Sequence, residues 1–385
     1  MRLVTPAQAL LALLTLVLLG CSSSNEPATE AEAQDPATSP EQAGPESDVQ
    51  FAGLARAFQA QADTAGEAMQ SACQALGSAV QAFLDNPEAG LQSDAQSAWH
   101  ACYEGWQAFS LFHRVAFNPA AQEALDRSRR LINVRPFLPG YVDALPDYPY
   151  SGLVHETGMD LTLNNLLEQH QLLDLESPAL GFPVVETLLW QADLDTYWRT
   201  SGEDGDLTIT RRHQYLTLAT EHLLQQLEQA RQRWSGQIGF TGLPEPAQQR
   251  IVLTSLDQQI RQDLLELAFA DDALQEPDWH HPSVVAGQGK RHLLARLAGL
   301  EALLHSPDEG VSALASWLER RGGLVTAETL GDRLTTAVDT LNALPENAPA
   351  GDPDAEAWQQ AVAAVTGLAD QISLLGAPLE TEDSQ

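Results

Sequence analysis

Apolar residues recur at helical spacing along almost the whole of this 385-residue chain, and no segment shows the sustained alternation typical of strands. The pattern predicts an all-α protein. The predicted helices cover residues 51–84, 92–112, 120–132, 162–170, 208–234, 246–269, 288–305, 311–320, 327–344 and 354–375. A polar break at 201–206 divides them into two halves, 51–200 and 201–375. Because each half pairs long helices with one long irregular loop, at 133–160 and 270–289, we predict two helical-bundle halves related by internal duplication.

The N-terminal residues predict export and a lipid anchor. Arg2 and a short apolar run at 7–17 are typical of a signal peptide, and Leu18-Leu19-Gly20-Cys21 matches a lipobox. The run is shorter than the roughly 20 residues that a membrane-spanning helix needs. We expect residues 1–20 to be removed and Cys21 to be lipidated, for example with palmitate.

Ser22 follows Cys21, as in lipoproteins that are sorted to the outer membrane. We therefore expect an outer-membrane anchor with the domain facing the periplasm. Residues 21–50 are rich in acidic residues and proline and have almost no large apolar side chains. They predict a disordered tether. Residues 376–385 form an acidic tail.

The formal net charge of −33 restricts the partners of the chain. Such a field repels nucleic acid and anionic lipid, and it attracts cations without selecting among them. We therefore expect no nucleic-acid partner, and we expect membrane contact only through the lipid at Cys21.

Two cysteines remain when Cys21 is lipidated. Cys73 and Cys102 lie on consecutive predicted helices, and their midpoint falls within the turn-forming run at 85–90. In an antiparallel hairpin the two thiols would lie at the same height. An oxidising compartment favours a disulfide between them, and two buried, reduced thiols are the alternative.

The most specific stretch of the sequence is 139–190. Its motifs are Pro139-Gly140-Tyr141-x-Asp143, Tyr148-Pro149-x-x-Gly152, Leu161-Thr162-x-x-Asn165-Leu166 and Gly181-Phe182-x-x-x-Glu186-x-Leu188-Leu189-Trp190. In order, spacing and residue type they resemble the imelysin-like family of bacterial periplasmic and outer-membrane proteins. The resemblance implies an all-helical fold of two bundle-like halves with a site between or beside them. It also implies one of two functions, that of a metallopeptidase or that of a component of iron acquisition.

The chain departs from the family at one position that matters for chemistry. Where a relative would read GxHxxE, this chain has Pro183 in place of the histidine, so the motif supplies only Glu186 as a ligand. Pro183 suits the first turn of a helix, where its missing N–H costs nothing. Glu186 is then either a pocket carboxylate or a residue stabilised by the helix dipole.

Other candidate ligands lie near this motif or on neighbouring helices. His155-Glu156 belongs to the 139–160 loop, as does Asp143, but Met159 replaces the second histidine of HExxH. His100 and Glu104 lie four residues apart on a predicted helix, where they either share a ligand or form a solvated face. Further candidates are His113, Asp278, His280 and His281, and Tyr141, Tyr148 and Tyr150 either line a pocket or fasten the loop.

The sequence thus favours an imelysin-like lipoprotein that binds a divalent metal, iron or a haem-type ligand in iron acquisition, with iron-uptake proteins of the envelope as partners. The alternatives are a metallopeptidase and a non-catalytic envelope interaction module. Because Pro183 replaces the histidine that would serve as a metal ligand in the peptidase motif, the sequence favours binding over catalysis.

Overall fold

The computed structural model describes residues 45–145, 147–199, 207–234, 239–266, 285–305, 312–348 and 356–376. These residues are helical or irregular, and the β-structure among them is a single isolated bridge between Leu145 and Tyr148. The all-α prediction is confirmed. Within the described ranges no helix combines the length and the apolarity needed to cross a bilayer.

The α-helices are α1 Pro45–Asp85, α2 Ala89–Ser110, α3 Gln122–Ile132, α4 Pro139–Val142, α5 Leu163–Gln169, α6 Phe182–Leu189, α7 Leu194–Tyr197, α8 Leu207–Gln232, α9 Glu245–Gln258, α10 Gly289–Ala295, α11 Ala298–Leu304, α12 Ala313–Arg321, α13 Ala327–Asn342 and α14 Glu356–Leu375. Short 3-10 turns occur at Leu111–His113, Pro119–Ala121 and Phe240–Gly242, and a π-helical segment, Gln259–Glu266, continues α9.

The long helix α1 organises the packing. It pairs along its length with α2, and it also packs against α8, α9, α11 and α12 from the second predicted half. Residues Gly44–Gln385 cluster as one compact unit around one apolar core. The internal duplication stays a prediction.

Two predicted helices are interrupted inside their predicted ranges, and the contacts show where. The predicted helix 288–305 is divided into α10 and α11, because the amides of Arg296 and Leu297 bond three residues back rather than four. The predicted helix 246–269 changes to π-helix at Gln259. Gln259 is buried there and bonds Ser110 of α2 and the carbonyl of Arg296, so tertiary contacts accompany both departures.

Cys73 of α1 and Cys102 of α2 form a buried disulfide that ties the first hairpin together. The turn at 86–88 separates the two helices, and the cysteine Cα atoms lie 4.5 Å apart. Labelling of both thiols by alkylation without reductant would reject this pairing.

We expect the Cys73→Ala/Cys102→Ala variant to lose about 3 kcal/mol of unfolding free energy. The bond closes a loop of 29 residues, and its removal gives the unfolded chain more conformational freedom. Urea unfolding with and without reductant measures the loss. Reductant should destabilise the wild type and leave the double variant unchanged, and an equal response of both proteins would contradict the prediction.

Candidate functional site

The motif glutamate lies on α6, whose first turn is built by Gly181 and Pro183. Gly181 has φ +95°, and a Cβ there would lie 2.6 Å from the carbonyl oxygen of Ile132, so the position requires glycine. Pro183 occupies the second helical position, which confirms the predicted helix start. Glu186 follows one turn later and is fully buried.

Glu186 is engaged through both carboxylate oxygens. Its Oε2 lies 2.6 Å from Nη2 of Arg135, and its Oε1 accepts from the amide of Ala286 at 3.0 Å. Burial by itself lowers the pKa of Arg135, but the nearby Glu186 and Tyr103 outweigh burial and raise that pKa. The motif carboxylate is therefore one half of a buried ion pair.

A second buried feature is a pair of histidines. Nδ1 of His100 on α2 lies 3.4 Å from Nε2 of His292 on α10, and the two rings stack. Burial, and then the charge of Arg291, lower the pKa of His100 to about 4. Burial, followed by His100 and Arg135, holds the pKa of His292 well below its usual range. Both imidazoles are therefore neutral at pH 7, the form that binds metals.

Tyr103 connects the ion pair to the histidine pair. Its ring lies 4.7 Å from the ring of His292, and the guanidinium of Arg135 lies over it at 5.6 Å. We call His100, Tyr103, Arg135, Glu186 and His292 the Tyr103 cluster. No local pattern indicated His292 or Arg135 as members of the cluster. His292 contacts His100 across 192 positions, and Arg135 contacts Glu186 across 51.

The other residues predicted on α2 have separate partners. Glu104 pairs at 2.6 Å with Arg291, the neighbour of His292, rather than with His100. His113 lies further along the chain, buried beside Ser128 at 3.3 Å. Asp278, His280 and His281 lie outside the described residues.

Asp143 and His155 form a third group, centred on α8. Arg212 binds both oxygens of Asp143, at 2.6 and 3.0 Å, and stacks on the ring of Tyr197. Nε2 of His155 lies 3.3 Å from the same carboxylate, which also accepts from the amide of Ala144. Asp143 therefore fastens the 139–160 loop to α8.

The preceding residue, Arg211, fastens the same loop by binding backbone carbonyls of the loop. Its guanidinium donates at 2.8–2.9 Å to the carbonyls of Leu153, Val154, Glu156 and Met159. The side chain of Glu156 accepts from the nearby amide of Gly158. This role was not predicted from the sequence. The signal for it was the pair of consecutive arginines, 211 and 212, within an otherwise amphipathic helix.

Of the three loop tyrosines, Tyr141 has one of the two predicted roles, and Tyr148 and Tyr150 have neither. Tyr141 donates through its hydroxyl to the carbonyl of Gln169 at 2.8 Å, which fastens the loop. Tyr148 and Tyr150 are 67% and 85% exposed, so their side chains extend into solvent.

The residues predicted as ligands thus lie in separate groups. Across the described ranges, no three His, Cys, Asp or Glu side chains converge as a metal site. Pro183 contributes no ligand atom, and Glu186 is engaged by Arg135 and Ala286, so the motif position does not fit a metal ion. The neutral pair His100–His292 places two imidazole nitrogens, a ligand type common for transition metals, 3.4 Å apart.

We expect the neutral histidines to make stability fall as the pH drops from 6.5 toward 4. Unfolded histidine binds a proton near pH 6.5, whereas folded His100 does so near 4 and folded His292 well below its usual range. The unfolded chain therefore binds more protons in this window. The stabilisation is complete above pH 6.5, and each histidine removes up to about 1.4 kcal/mol for every pH unit below it.

Urea unfolding across this window tests the expectation. His292→Gln should give a shallower loss of unfolding free energy with falling pH than the wild type, and the exposed control His305→Gln should match the wild type. An unchanged slope in His292→Gln would contradict the prediction.

The described fold is an all-α domain with a buried polar cluster and, separately, a long loop fastened by arginines. The family model Imelysin (peptidase M75) matches residues 62–375, so the chain belongs to the imelysin family. No curated protein matches the chain.

Two solved structures share the fold. A "putative iron-regulated protein A precursor" from Parabacteroides distasonis ATCC 8503 is 13% identical, with a TM-score of 0.60 over 85% of this chain and 94% of that one. An imelysin-like protein from Psychrobacter arcticum 273-4 is 17% identical, with a TM-score of 0.59 over 84% of this chain and 93% of that one.

Proposed function

We propose that this chain is a ligand-binding lipoprotein of the cell envelope that handles iron or another cation in iron acquisition. The family and the iron-regulated neighbour support the iron-related role. The lipobox ending at Cys21 supports an anchor in the outer membrane with the domain in the periplasm, where iron-uptake proteins of the envelope are its proposed partners.

The engagement of both Glu186 carboxylate oxygens is the observation that favours binding over catalysis. A metallopeptidase of this type would use the motif carboxylate on a metal or as a general base, and a general base needs hydrogen-bond access to the proton that it removes. Both carboxylate oxygens of Glu186 are already engaged, Oε2 by Arg135 and Oε1 by the amide of Ala286. This arrangement disfavours peptide hydrolysis at the motif.

The pair His100–His292 is the proposed position of the cation. A tetrahedral ion with nitrogen ligands at about 2.0–2.1 Å holds those nitrogens about 3.4 Å apart. The two facing ring nitrogens are separated by 3.4 Å and share a hydrogen bond. A bound cation would replace the shared proton, and water or the atoms of a chelating ligand would supply its remaining ligands.

Thermal unfolding of the purified chain across a panel of Fe²⁺, Mn²⁺, Zn²⁺ and haem tests the proposal. A ligand that binds only the folded state raises the midpoint. We expect at least one member to do so in the wild type and in His305→Gln, but not in His292→Gln. The absence of any shift across the panel would overturn the proposal.

The peptidase alternative has its own test. Cleavage of an unfolded protein that is sensitive to chelator and is abolished by Glu186→Gln would replace the binding role with a catalytic one. We expect neither the wild type nor Glu186→Gln to cleave.

A further inference from the structure

A polar cleft lies between α3, the C-terminal part of α2 and the π-helical segment, and it reaches the Tyr103 cluster at Arg135. It consists of two cavities of about 290 and 420 Å³, which share Arg129, Asn133 and Gln262 in their walls. Cavities of this size accommodate a small molecule. The cleft plays no part in the function proposed above.

The net charge of the side chains around the cleft is opposite in sign to the net charge of the chain. The side chains in its walls or directly behind them include five arginines, namely Arg114, Arg129, Arg130, Arg135 and Arg296. The carboxylates among them or paired with them are Asp126, Asp263, Glu266 and Glu186. Arginines thus outnumber carboxylates here, whereas the whole chain has 53 acidic residues and 20 basic ones. A local positive region in a strongly negative protein concentrates anions at one place.

Among the cleft arginines that pair with a carboxylate, Arg129 has the longest ion-pair distances. It lines both cavities, and its guanidinium lies 3.8 Å from Asp126 and 3.9 Å from Asp263, beyond hydrogen-bonding distance. Burial, and then the repulsion of Arg114, lower the pKa of Arg129. Asp263 is already bound by Arg114, so the charge of Arg129 is only partly neutralised.

Gln107 presents a buried donor to the same cleft. Its Oε1 accepts from Nε of Arg296 at 2.7 Å, which fixes the orientation of the amide. Its Nε2 has no hydrogen-bond partner among the described residues, although the side chain is 1% exposed and lines the cavity. A buried donor left in this state costs free energy, and an acceptor atom of a ligand would satisfy it.

We propose that this cleft binds a small multivalent oxyanion, held by the guanidinium of Arg129 and by the amide Nε2 of Gln107. Guanidinium groups bind carboxylate and phosphate oxygens through paired, charge-assisted hydrogen bonds. Both classes offer the acceptors that Arg129 and Gln107 need. The site does not depend on a metal at His100–His292.

Isothermal titration of the full chain with citrate, and separately with inorganic phosphate, tests the site at constant physiological ionic strength. Arg129→Gln removes one positive charge from the wall. Arg56→Gln makes the same change at an exposed position of α1 and serves as the matched control. Gln107→Glu keeps the acceptor for Arg296 and replaces the unsatisfied donor with a negative oxygen.

We expect one or both anions to bind the wild type and Arg56→Gln alike. Arg129→Gln and Gln107→Glu should each weaken binding by roughly tenfold or more, since each loses a charge-assisted or buried hydrogen bond. Binding of citrate alone assigns the site to polycarboxylates, and binding of phosphate alone assigns it to phosphates. Failure of both anions to bind at millimolar concentration, or equal binding by wild type and Gln107→Glu, would overturn the proposal.

Discussion

Replacing Glu186 with alanine should lower the free energy of unfolding by about 3–5 kcal/mol, one of the two largest effects that we expect from a single substitution in this chain. The reason is the buried charge that remains. The Arg135 side chain is 1% exposed, and without Glu186 its guanidinium would lose the carboxylate with which it pairs in the core. Chemical denaturation monitored by circular dichroism measures the change.

A matched surface pair and a double replacement separate this explanation from a general loss of packing. Glu228 pairs with Arg231 on a partly exposed face of α8, so Glu228→Ala should cost less than about 1 kcal/mol. Arg135→Met/Glu186→Leu removes both charges and should recover most of the loss. If the double variant were as unstable as Glu186→Ala, the buried charge would not be the cause.

Arg212→Met should destabilise the protein by a similar amount, about 3–5 kcal/mol, and should also release the 139–160 loop. Asp143 is fully buried, and Arg212 holds both of its oxygens. The variant leaves that carboxylate with His155 and an amide as its remaining partners. Denaturation gives the loss of stability, and limited proteolysis followed by mass spectrometry locates the released segment.

The control for this variant is Arg199→Met, which breaks the exposed pair with Asp195 one turn away. It should change stability by less than about 1 kcal/mol and leave the loop resistant to protease. A loop that remained protected in Arg212→Met would show that Arg211 and the apolar contacts suffice to hold it.

The sequence predicted local structure well where the cause is local. Helical periodicity placed most helices, because burial of one face repeats every three to four residues. Thr162 caps α5 by accepting from the amide of Asn165, as its position at the start of a helix predicts. Pro183 lies in the first turn of α6 for an equally local reason.

What the sequence did not predict is which helix faces meet. Glu186 finds its partners at Arg135 and Ala286, and His100 finds His292, through contacts between distant parts of the chain. Periodicity identifies the buried face of a helix but not the residue opposite it. The i, i+4 spacing of His100 and Glu104 left a shared ligand or a solvated face open, while the structure places each beside a different residue of α10.

The most direct test of the account is calorimetric titration of Fe²⁺ into the wild type, Glu186→Gln and His292→Gln, each checked for folding by circular dichroism. The motif carboxylate pairs with Arg135, and the proposed position of the cation is the histidine pair. We therefore expect Glu186→Gln to retain iron binding and His292→Gln to lose it. Loss of binding in Glu186→Gln with binding retained in His292→Gln would contradict it.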